Sequence, residues 1–399
     1  MEALVPDAVI REAISAGLAD PALGSPEQWE AVRSYLVGRG EDPWPTRRER
    51  LAAGGVSLDE LRVWLTDDIT VAAPLMGAFT SHDTTIEHAV VHVNADERAR
   101  LAQWLSERAG EPVEVVEATV IGGGFSRRMW RATVRRNGVE RRVIVRIEQG
   151  GMFGTDTITE VRSMRALHAA GYAVPVVEDV EESGGVLGEP FFVMEEVPGV
   201  VRLDDQGLDD IIRSVADLHR LPASVLDPSG RSPEQVISDN IEGWRRMYRE
   251  HAPELPLVEQ GADWLQENLR PTGPSVIVHG DAGPGNALFD PDRGLTTIDW
   301  EFAHVGDAAE DWAYLALIRG RRIMDGEAWK ARLAAVAGVE YTADQWRLWL
   351  AYNHFRGACV NLSARTVFEK GPRRTADQLA IGVAVHLRFL NQLSEITCP

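Results

Sequence analysis

The sequence predicts an α+β fold with two lobes, a small antiparallel sheet followed by a mainly helical region, and an extra helical segment in front of both. Three observations support this class. Helix-capping patterns dominate the first part of the chain, β-rich runs begin at Val113, and helical periodicity prevails from Val197 onwards. We therefore expect a helical N-terminal extension at 1–110, a sheet lobe at 111–197 and a helical lobe at 198–399.

The composition is that of a globular protein large enough for more than one core. The chain has 399 residues, of which 44% are hydrophobic and 26% are charged. Its formal net charge of −20 disfavours nucleic acids and anionic membranes as partners, because both repel acidic surfaces. The N-terminus lacks the pattern of a signal peptide, and no apolar run approaches the roughly 20 residues that span a bilayer. These features predict a cytoplasmic protein without a membrane partner.

Capping patterns place the helices of the N-terminal extension. Ser25, Ser57 and Asn94 each precede a Gln or Glu by three residues, and periodic apolar residues follow. Gly38 and Gly110 are suitable C-terminal stops. Three roles of the extension stay open: it covers the small lobe, mediates self-association into a homo-oligomer, or contributes a wall to the substrate site.

The periodicity changes to that of β-strands at Val113. Three β-rich runs predict a three-stranded meander: 113–121, 129–135 and 142–148. The last two runs are joined by Asn137-Gly138, a strong hairpin signal, and the first two by the glycine-rich stretch GGGFS. One helix and two strands are expected to complete this lobe: 156–170, 174–180 and 191–195.

Helical periodicity prevails in the rest of the chain. The expected helices are 208–221, 233–251, 257–269, 307–319, 327–337, 343–368 and 375–393. The third and fourth of them are separated by the stretch VHGDAGPGNALFD, from Val278 to Asp290. A short apolar run precedes its charged part and apolar residues return at its end, which predicts a strand, a tight loop and a second strand.

Polar side chains on and after this loop suit the chemistry of phosphoryl transfer. Asp281 lies on the loop, Asn286 follows five residues later, and Asp299 ends the next apolar run. Phosphoryl transfer needs a base for the acceptor hydroxyl and oxygen ligands for magnesium. One carboxylate for the base, with an amide and a second carboxylate for the metal, would meet both needs.

The motif HGD-x4-N followed by IDWE resembles the catalytic core of the aminoglycoside phosphotransferase and choline kinase superfamily. These are small-molecule kinases with a protein-kinase-like fold, and the similarity extends over roughly residues 112–390. The resemblance implies a bilobal kinase-like fold, ATP or GTP and Mg²⁺ as cofactors, and a small-molecule phosphoryl acceptor. The run W-R-R-x-Y at 244–248 and the hinge VMEEVPG are more similar to the kinase-like domain fused to some acyl-CoA dehydrogenases.

The resemblance also implies roles for individual residues. Asp281 would be the catalytic base, and Asn286 and Asp299 would be the magnesium ligands. Arg146 on the third strand would contact the α- and β-phosphates, although Lys is usual there, and Glu160 on the following helix would be its ion-pair partner. The other expected nucleotide-binding residues are Gly122, Gly123, Gly124, Phe125 and Ser126 in the glycine-rich loop, and Met194, Glu195 and Val197 in the hinge that meets the base.

Several alternatives stay open. GGGFS also suits an ordinary hairpin turn, Glu160 also suits a capping box with Thr157, and Arg146 also suits a solvated strand position. Glu301 is either a third carboxylate of the metal or substrate site, or a partner of the residues around that site. The acceptor is an aminoglycoside-like antibiotic, an amino alcohol, a sugar or a hydroxyacyl-CoA, and it offers a hydroxyl or an amine. The alternative to an enzyme is a catalytically silent nucleotide-binding module of the same fold.

Overall fold

The structure is a computed structural model, and it describes residues 5–20, 23–40, 44–80, 91–121, 126–149, 152–252, 254–319, 326–371 and 373–398. The described residues before the sheet form the helices α1 (Asp7–Ala19), α2 (Pro26–Gly38), α3 (Trp44–Ala53), α4 (Leu58–Thr80) and α5 (Ala95–Ala109). Ser25 and Gln28 form the predicted capping box of α2. Gly110, with a φ of 68°, ends α5 in the left-handed conformation that glycine adopts without strain.

The N-terminal helices divide between the two lobes. Residues of α1, α2 and α4 belong to the same apolar core as the C-terminal helices, with Trp29 and Leu65 buried in that core. In contrast, α5 packs on the sheet through Leu101 and Trp104, and the ring of Trp104 lies 4.8 Å from that of Phe191. The extension is therefore in contact with both lobes rather than packed as a separate body.

The small lobe is an antiparallel sheet. Its strands are β1 (Val113–Ile121), β2 (Arg127–Arg136), β3 (Val139–Glu148), β4 (Val177–Glu181) and β5 (Phe191–Glu195), in the spatial order β1-β2-β3-β5-β4. The predicted meander is present, and Asn137 and Gly138 turn between β2 and β3 with φ of 52° and 77°. The helix α6 (Thr157–Ala169) packs against the sheet through Val161 and Leu167. Gly122–Phe125, between β1 and β2, lie outside the described residues.

The second lobe is mainly helical. Its helices are α7 (Asp205–His219), α8 (Pro233–His251), α9 (Pro256–Asn268), α10 (Ala308–Arg319), α11 (Gly326–Ala337), α12 (Ala343–Lys370), α13 (Ala376–Ala380) and α14 (His386–Thr397). Short strands lie between α9 and α10: β6 (Val276–Val278), β7 (Ala287–Asp290), β8 (Gly294–Thr297) and β9 (His304–Gly306). β6 pairs with β9 and β7 with β8, which brings the loop after β6 close to the segment after β8.

The predicted helix at 375–393 contains an irregularity that the periodicity does not reveal. A π-helical turn, Ile381–Val385, separates α13 from α14, and α14 continues to Thr397. Gly382 lies in this turn against α12, where an added Cβ would be 2.3 Å from the backbone nitrogen of Arg365. Only glycine permits this close approach of the two helices. Among the residues that the structure describes, none of the helices combines the length and apolar composition needed to cross a membrane.

His386, at the start of α14, makes the stability of this core sensitive to acid. Its Nδ1 lies 2.7 Å from the carbonyl oxygen of Ala358, which identifies Nδ1 as the donor, and burial lowers the pKa of the imidazole to about 4. In the unfolded chain, the imidazole of His386 has its ordinary pKa of 6.5. The neutral imidazole therefore contributes its full stabilisation of the folded state above pH 6.5, and this contribution is lost as the pH falls towards 4.

We expect His386→Asn, which keeps a donor near the position of Nδ1, to reduce this acid sensitivity. Between pH 7 and 4.5, the loss in the free energy of unfolding should be smaller than in the unsubstituted protein by about 2 kcal/mol. Urea unfolding at the two pH values measures the difference. His168→Asn, on an exposed site of α6, is the control, and an equal pH dependence of all three proteins would contradict the prediction.

Candidate active site

The loop after β6 is held by hydrogen bonds from its own backbone. The main-chain nitrogens of His279 and Gly280 each donate to the carboxylate of Asp311 over 2.9 Å, and His219 contacts the same carboxylate at 3.0 Å. Burial alone would raise the pKa of Asp311, but the hydrogen bond and charge of His219 hold it below its ordinary value. Asp311 is therefore an anion that fixes the backbone beside Asp281.

His279 supports the loop from its other side. Its ring is fully buried, its Nδ1 accepts from the main-chain nitrogen of Asp281 at 3.2 Å, and its Nε2 donates to the carbonyl of Ile298 at 3.2 Å. Burial lowers the pKa of the imidazole, which keeps the ring neutral with one donor and one acceptor. His279 thus joins the loop that carries Asp281 to the segment that carries Asp299.

Asp281 is held by two side chains. Asn286, at the end of a short helical turn before β7, donates from Nδ2 to Oδ2 of Asp281 at 2.8 Å and to its carbonyl oxygen at 2.9 Å. The hydroxyl of Tyr314 on α10 donates to Oδ1. Burial and the charge of Asp299 raise the pKa of Asp281 to about 7, against the opposing effects of Tyr314 and Arg356. An aspartate with a raised pKa and a fixed carboxylate is suited to accept a proton.

Asp299 follows β8 in an unusual backbone conformation. Its φ of 66° lies in the left-handed region, which non-glycine residues occupy at a cost of about 1–3 kcal/mol. Its carboxylate accepts from Arg146 Nη2, and 25% of its side chain remains exposed. The backbone thus presents Asp299 towards Arg146 on β3, across the boundary between the lobes.

A buried network of charges lies behind this contact. Arg146 and Glu160 are 4% and 1% exposed, and Arg146 Nε lies 2.9 Å from Glu160 Oε1. Glu160 therefore pairs with Arg146 and does not cap α6, whose N-cap is Asp156. Burial opposes the charged form of Arg146, but Asp299, Glu160 and Glu301 together raise its pKa. The alternative of a solvated Arg146 is wrong.

Glu301 belongs to the same network. Ser126 donates from Oγ to Glu301 Oε1 at 2.6 Å, and Thr155 donates from Oγ1 to Oε2 at 2.9 Å. Burial and the charge of Asp299 raise the pKa of Glu301 to about 7. Ser126, at the end of the predicted glycine-rich loop, is thereby tied to the second lobe, while Gly122, Gly123, Gly124 and Phe125 lie outside the described residues.

A model of the phosphotransferase enzyme family matches residues 117–349, which is more than half of the chain. The chain belongs to this family. The matched region contains the site residues from Ser126 to Tyr314, and Arg356 lies outside it.

Curated relatives of this chain are acyl-CoA dehydrogenase family members. The chain is 29% identical to family member 10 from Mus musculus over 238 residues, covering 50% of this chain and 22% of the relative. It is 30% identical to family member 11 from Gallus gallus over 172 residues, covering 39% of this chain and 22% of the relative. The matched region thus spans only 22% of the length of each of these relatives.

Solved structures with a similar fold are phosphotransferases. A proposed aminoglycoside phosphotransferase from Ralstonia eutropha JMP134 has a TM-score of 0.54 at 21% identity, covering 75% of this chain and 98% of the other. Choline kinase LicA from Streptococcus pneumoniae has a TM-score of 0.53 at 16% identity, with 74% and 98% covered. The predicted bilobal α+β fold of the protein-kinase-like type is confirmed.

Six of the predicted site residues make the contacts described above: Asp281, Asn286, Arg146, Glu160, Asp299 and Ser126. Asn286 contacts Asp281, and Arg146 contacts both Glu160 and Asp299. The hinge residues lie at and just after the end of β5. There Met194 is buried in the sheet core, Val197 is also buried, and Glu195 pairs with Arg293 at 2.6 Å.

Arg127 was not predicted as a member of the site. It is 2% exposed, and its Nη2 donates to Thr155 Oγ1 at 3.1 Å and lies 3.6 Å from Glu301 Oε2. Its Nε lies 3.6 Å from Glu160 Oε2. No local pattern separates Arg127 from the neighbouring Arg128 in the sequence, because its partners come from distant segments.

Proposed function

We propose that this phosphotransferase moves the γ-phosphoryl group of ATP or GTP to a hydroxyl or amine of a small molecule, with Mg²⁺ as cofactor. The convergence of three side chains carries the proposal. Asn286 donates to Asp281, and His279 joins the main chain of Asp281 to the carbonyl oxygen of Ile298, the residue before Asp299. A candidate base and two side chains with oxygen atoms for a metal ion therefore lie close together, as phosphoryl transfer requires.

Asp281 takes the role of the base in this proposal. Asn286 and Tyr314 each hold one oxygen of its carboxylate, so the side chain cannot turn away from an acceptor. The carboxylate would accept the proton of the acceptor hydroxyl as that oxygen bonds to the phosphoryl group. Positioning and electrostatics supply most of the catalysis in phosphoryl transfer, so a fixed base matches what the reaction needs.

Asn286 and Asp299 would hold the magnesium. Asn286 directs its Nδ2 to Asp281, so its Oδ1 is the atom suited to a metal ion, and Asp299 adds a carboxylate. Amide and carboxylate oxygens fit Mg²⁺, which takes its other ligands from phosphate and water. When bound, Mg²⁺ would neutralise charge on the phosphates.

Nucleotide binding is assigned to the small lobe and the hinge. Arg146, oriented by Glu160, would contact the α- and β-phosphates, with Ser126 and the predicted Gly122–Phe125 loop covering them. Met194, Glu195 and Val197 would meet the nucleotide base. The structure of LicA in complex with AMP, with a TM-score of 0.54 and 16% identity, supports nucleotide binding because that protein has a similar fold.

A screen of phosphoryl acceptors tests the proposal. The purified protein is incubated with Mg²⁺ and γ-labelled ATP or GTP, together with aminoglycosides, amino alcohols, sugars or hydroxyacyl-CoA thioesters. We expect label to pass to at least one acceptor class and transfer to stop when EDTA removes the metal. Binding of the nucleotide with neither transfer nor hydrolysis would instead support a catalytically silent nucleotide-binding module.

A further inference from the structure

The hydroxyl of Tyr314 is one of the two groups that hold the carboxylate of Asp281. It donates to Oδ1 of Asp281, while Asn286 donates to Oδ2. Burial and the charge of Asp281 raise the pKa of Tyr314 well above its ordinary value, so the hydroxyl keeps its proton. A second donor on the carboxylate restricts the rotation that Asn286 alone would leave open.

Tyr314 lies on the helix that also fixes the backbone of the loop. Asp311 accepts from the main-chain nitrogens of His279 and Gly280, and Tyr314 follows three residues later, one turn further along α10. Asp307 anchors the start of this helix by accepting from the main-chain nitrogens of Thr272 and Ala309. One anchored helix thus holds both the backbone and the carboxylate of the loop.

Arg356 on α12 holds Tyr314 in turn. Its guanidinium carbon lies 4.9 Å from the centre of the Tyr314 ring and 5.4 Å from that of Phe302. Nη1 of Arg356 lies 3.0 Å from Glu310 Oε1, and Nη2 donates to the carbonyl oxygen of Gly280. The side chain is 4% exposed, so its position is fixed by these partners.

Gly280 leaves the space that this arrangement needs. An added Cβ would lie 2.9 Å from Arg356 Nη1 and 2.7 Å from the carbonyl oxygen of Phe302. The φ of Gly280 is 78°, a conformation that other residues rarely adopt. The glycine therefore allows a cation from a distant helix to bind the loop directly beside Asp281.

We propose that Tyr314 is a positioning residue for Asp281, and that Arg356 fixes Tyr314 and the loop together. The inference rests on the proposed function, in which Asp281 is the base. Tyr314 acts through Asp281 and makes no contact with the reacting atoms. Its loss should lower the rate of the chemical step and leave nucleotide binding unchanged.

Hydrolysis of Mg·ATP or Mg·GTP, with water as the acceptor, tests this inference without a known substrate. We expect Tyr314→Phe to lower kcat by about 10-fold to 100-fold, the effect of losing a hydrogen bond to a charged group, with KM for the nucleotide unchanged. Tyr35→Phe is the matched control. The hydroxyl of Tyr35 is buried on α2 and has no hydrogen-bond partner in the described part of the chain, so neither kcat nor melting temperature should fall.

A double-substitution cycle separates positioning from a general structural effect. If Tyr314 acts through Asp281, adding Tyr314→Phe to Asp281→Asn should change the residual rate by less than about twofold. A further loss as large as in the unsubstituted background would overturn the inference, and so would a kcat unchanged by Tyr314→Phe. Absence of hydrolysis and of transfer to any acceptor by the unsubstituted protein would instead contradict the proposed function, and this inference would fall with it.

Arg356→Lys provides a second variant with the same charge. Lysine lacks the planar fork that reaches Glu310 and Gly280 together, so we expect a drop in kcat of the same order as for Tyr314→Phe. Because both residues act on the carboxylate of Asp281, the double variant should lose less of its kcat than the product of the two single losses. Independent, fully multiplicative effects would contradict the proposed link between Arg356 and Tyr314.

Discussion

Asp281→Asn is expected to lower phosphoryl transfer by on the order of 10²–10⁴, because asparagine cannot accept the proton of the acceptor. Asparagine has nearly the same shape as aspartate and can still hydrogen-bond to Asn286 and Tyr314. The dissociation constant of the nucleotide should therefore stay within about twofold, since the base contributes to the chemical step and not to ground-state binding. Initial rates with the best acceptor, and nucleotide titrations, measure both quantities.

The exposed Asp292 in the turn between β7 and β8 provides the matched control. Asp292→Asn makes the same change of charge a short distance along the chain and should leave both the rate and the affinity unchanged. A rate within about threefold of the unsubstituted protein for Asp281→Asn would exclude general-base catalysis by this residue, because such catalysis contributes at least about 10²-fold.

The second large effect is expected from Arg146→Met. This substitution removes the cation between Glu160, Glu301 and Asp299, and Glu160 and Glu301 are almost fully buried. A buried carboxylate that loses its last partner costs about 3–5 kcal/mol, but Arg127 stays within 3.6 Å of Glu160 and Glu301, so the free energy of unfolding should fall by less than that. The affinity for Mg·ATP should also fall by roughly 10-fold to 100-fold, because a charge-assisted contact to the phosphates is lost.

Arg146→Met combined with Glu160→Met separates stability from binding. Apolar residues of similar volume often replace a buried ion pair without loss, so the double variant should regain part of the stability. It should not regain the affinity for nucleotide, because the phosphate contact is still missing. Arg141 lies on the same strand as Arg146 and forms an exposed ion pair with Glu178 on β4. Arg141→Met is therefore the control, and it should change the free energy of unfolding by no more than about 1 kcal/mol. Recovery of nucleotide affinity in the double variant would contradict the assignment of Arg146.

The fold was largely predictable because its signals are local. The turn at Asn137-Gly138, the capping box at Ser25 and the strand-like run from Val113 each depend on a few neighbouring residues, and each appears in the structure as predicted. The spacing of Asp281 and Asn286 is also local, since both lie on one loop and contact each other.

The parts of the site that were missed depend on contacts between distant segments. Tyr314 follows Asp281 by 33 residues, and Arg356 contacts Gly280 across 76 residues. Arg127 meets Glu301 only because the lobes pack together. Nothing in the immediate sequence of these residues distinguishes them from ordinary helix or strand positions.

The N-terminal extension illustrates the same limit. Three of its helices, α2, α4 and α5, were predicted from their caps, but the sequence offered no means of finding the surfaces on which they pack. In the structure α5 lies on the sheet, while α1, α2 and α4 share the core of the C-terminal helices. Homo-oligomer formation through residues 1–110 stays a prediction, as do the cytoplasmic location and the absence of a nucleic-acid partner.

The separate roles of base and metal ligand are tested most directly by the effect of Mg²⁺ on nucleotide affinity. Calorimetric titration with a non-hydrolysable ATP or GTP analogue, with and without Mg²⁺, is carried out on the unsubstituted protein, on Asp281→Asn and on Asp299→Asn. We predict that Mg²⁺ strengthens binding to the first two proteins alike and has little effect on Asp299→Asn. Two results would contradict the assignment of Asp299 as a metal ligand and Asp281 as the base. One is that Mg²⁺ strengthens nucleotide binding to Asp299→Asn as much as to the unsubstituted protein, and the other is that Mg²⁺ no longer strengthens it in Asp281→Asn.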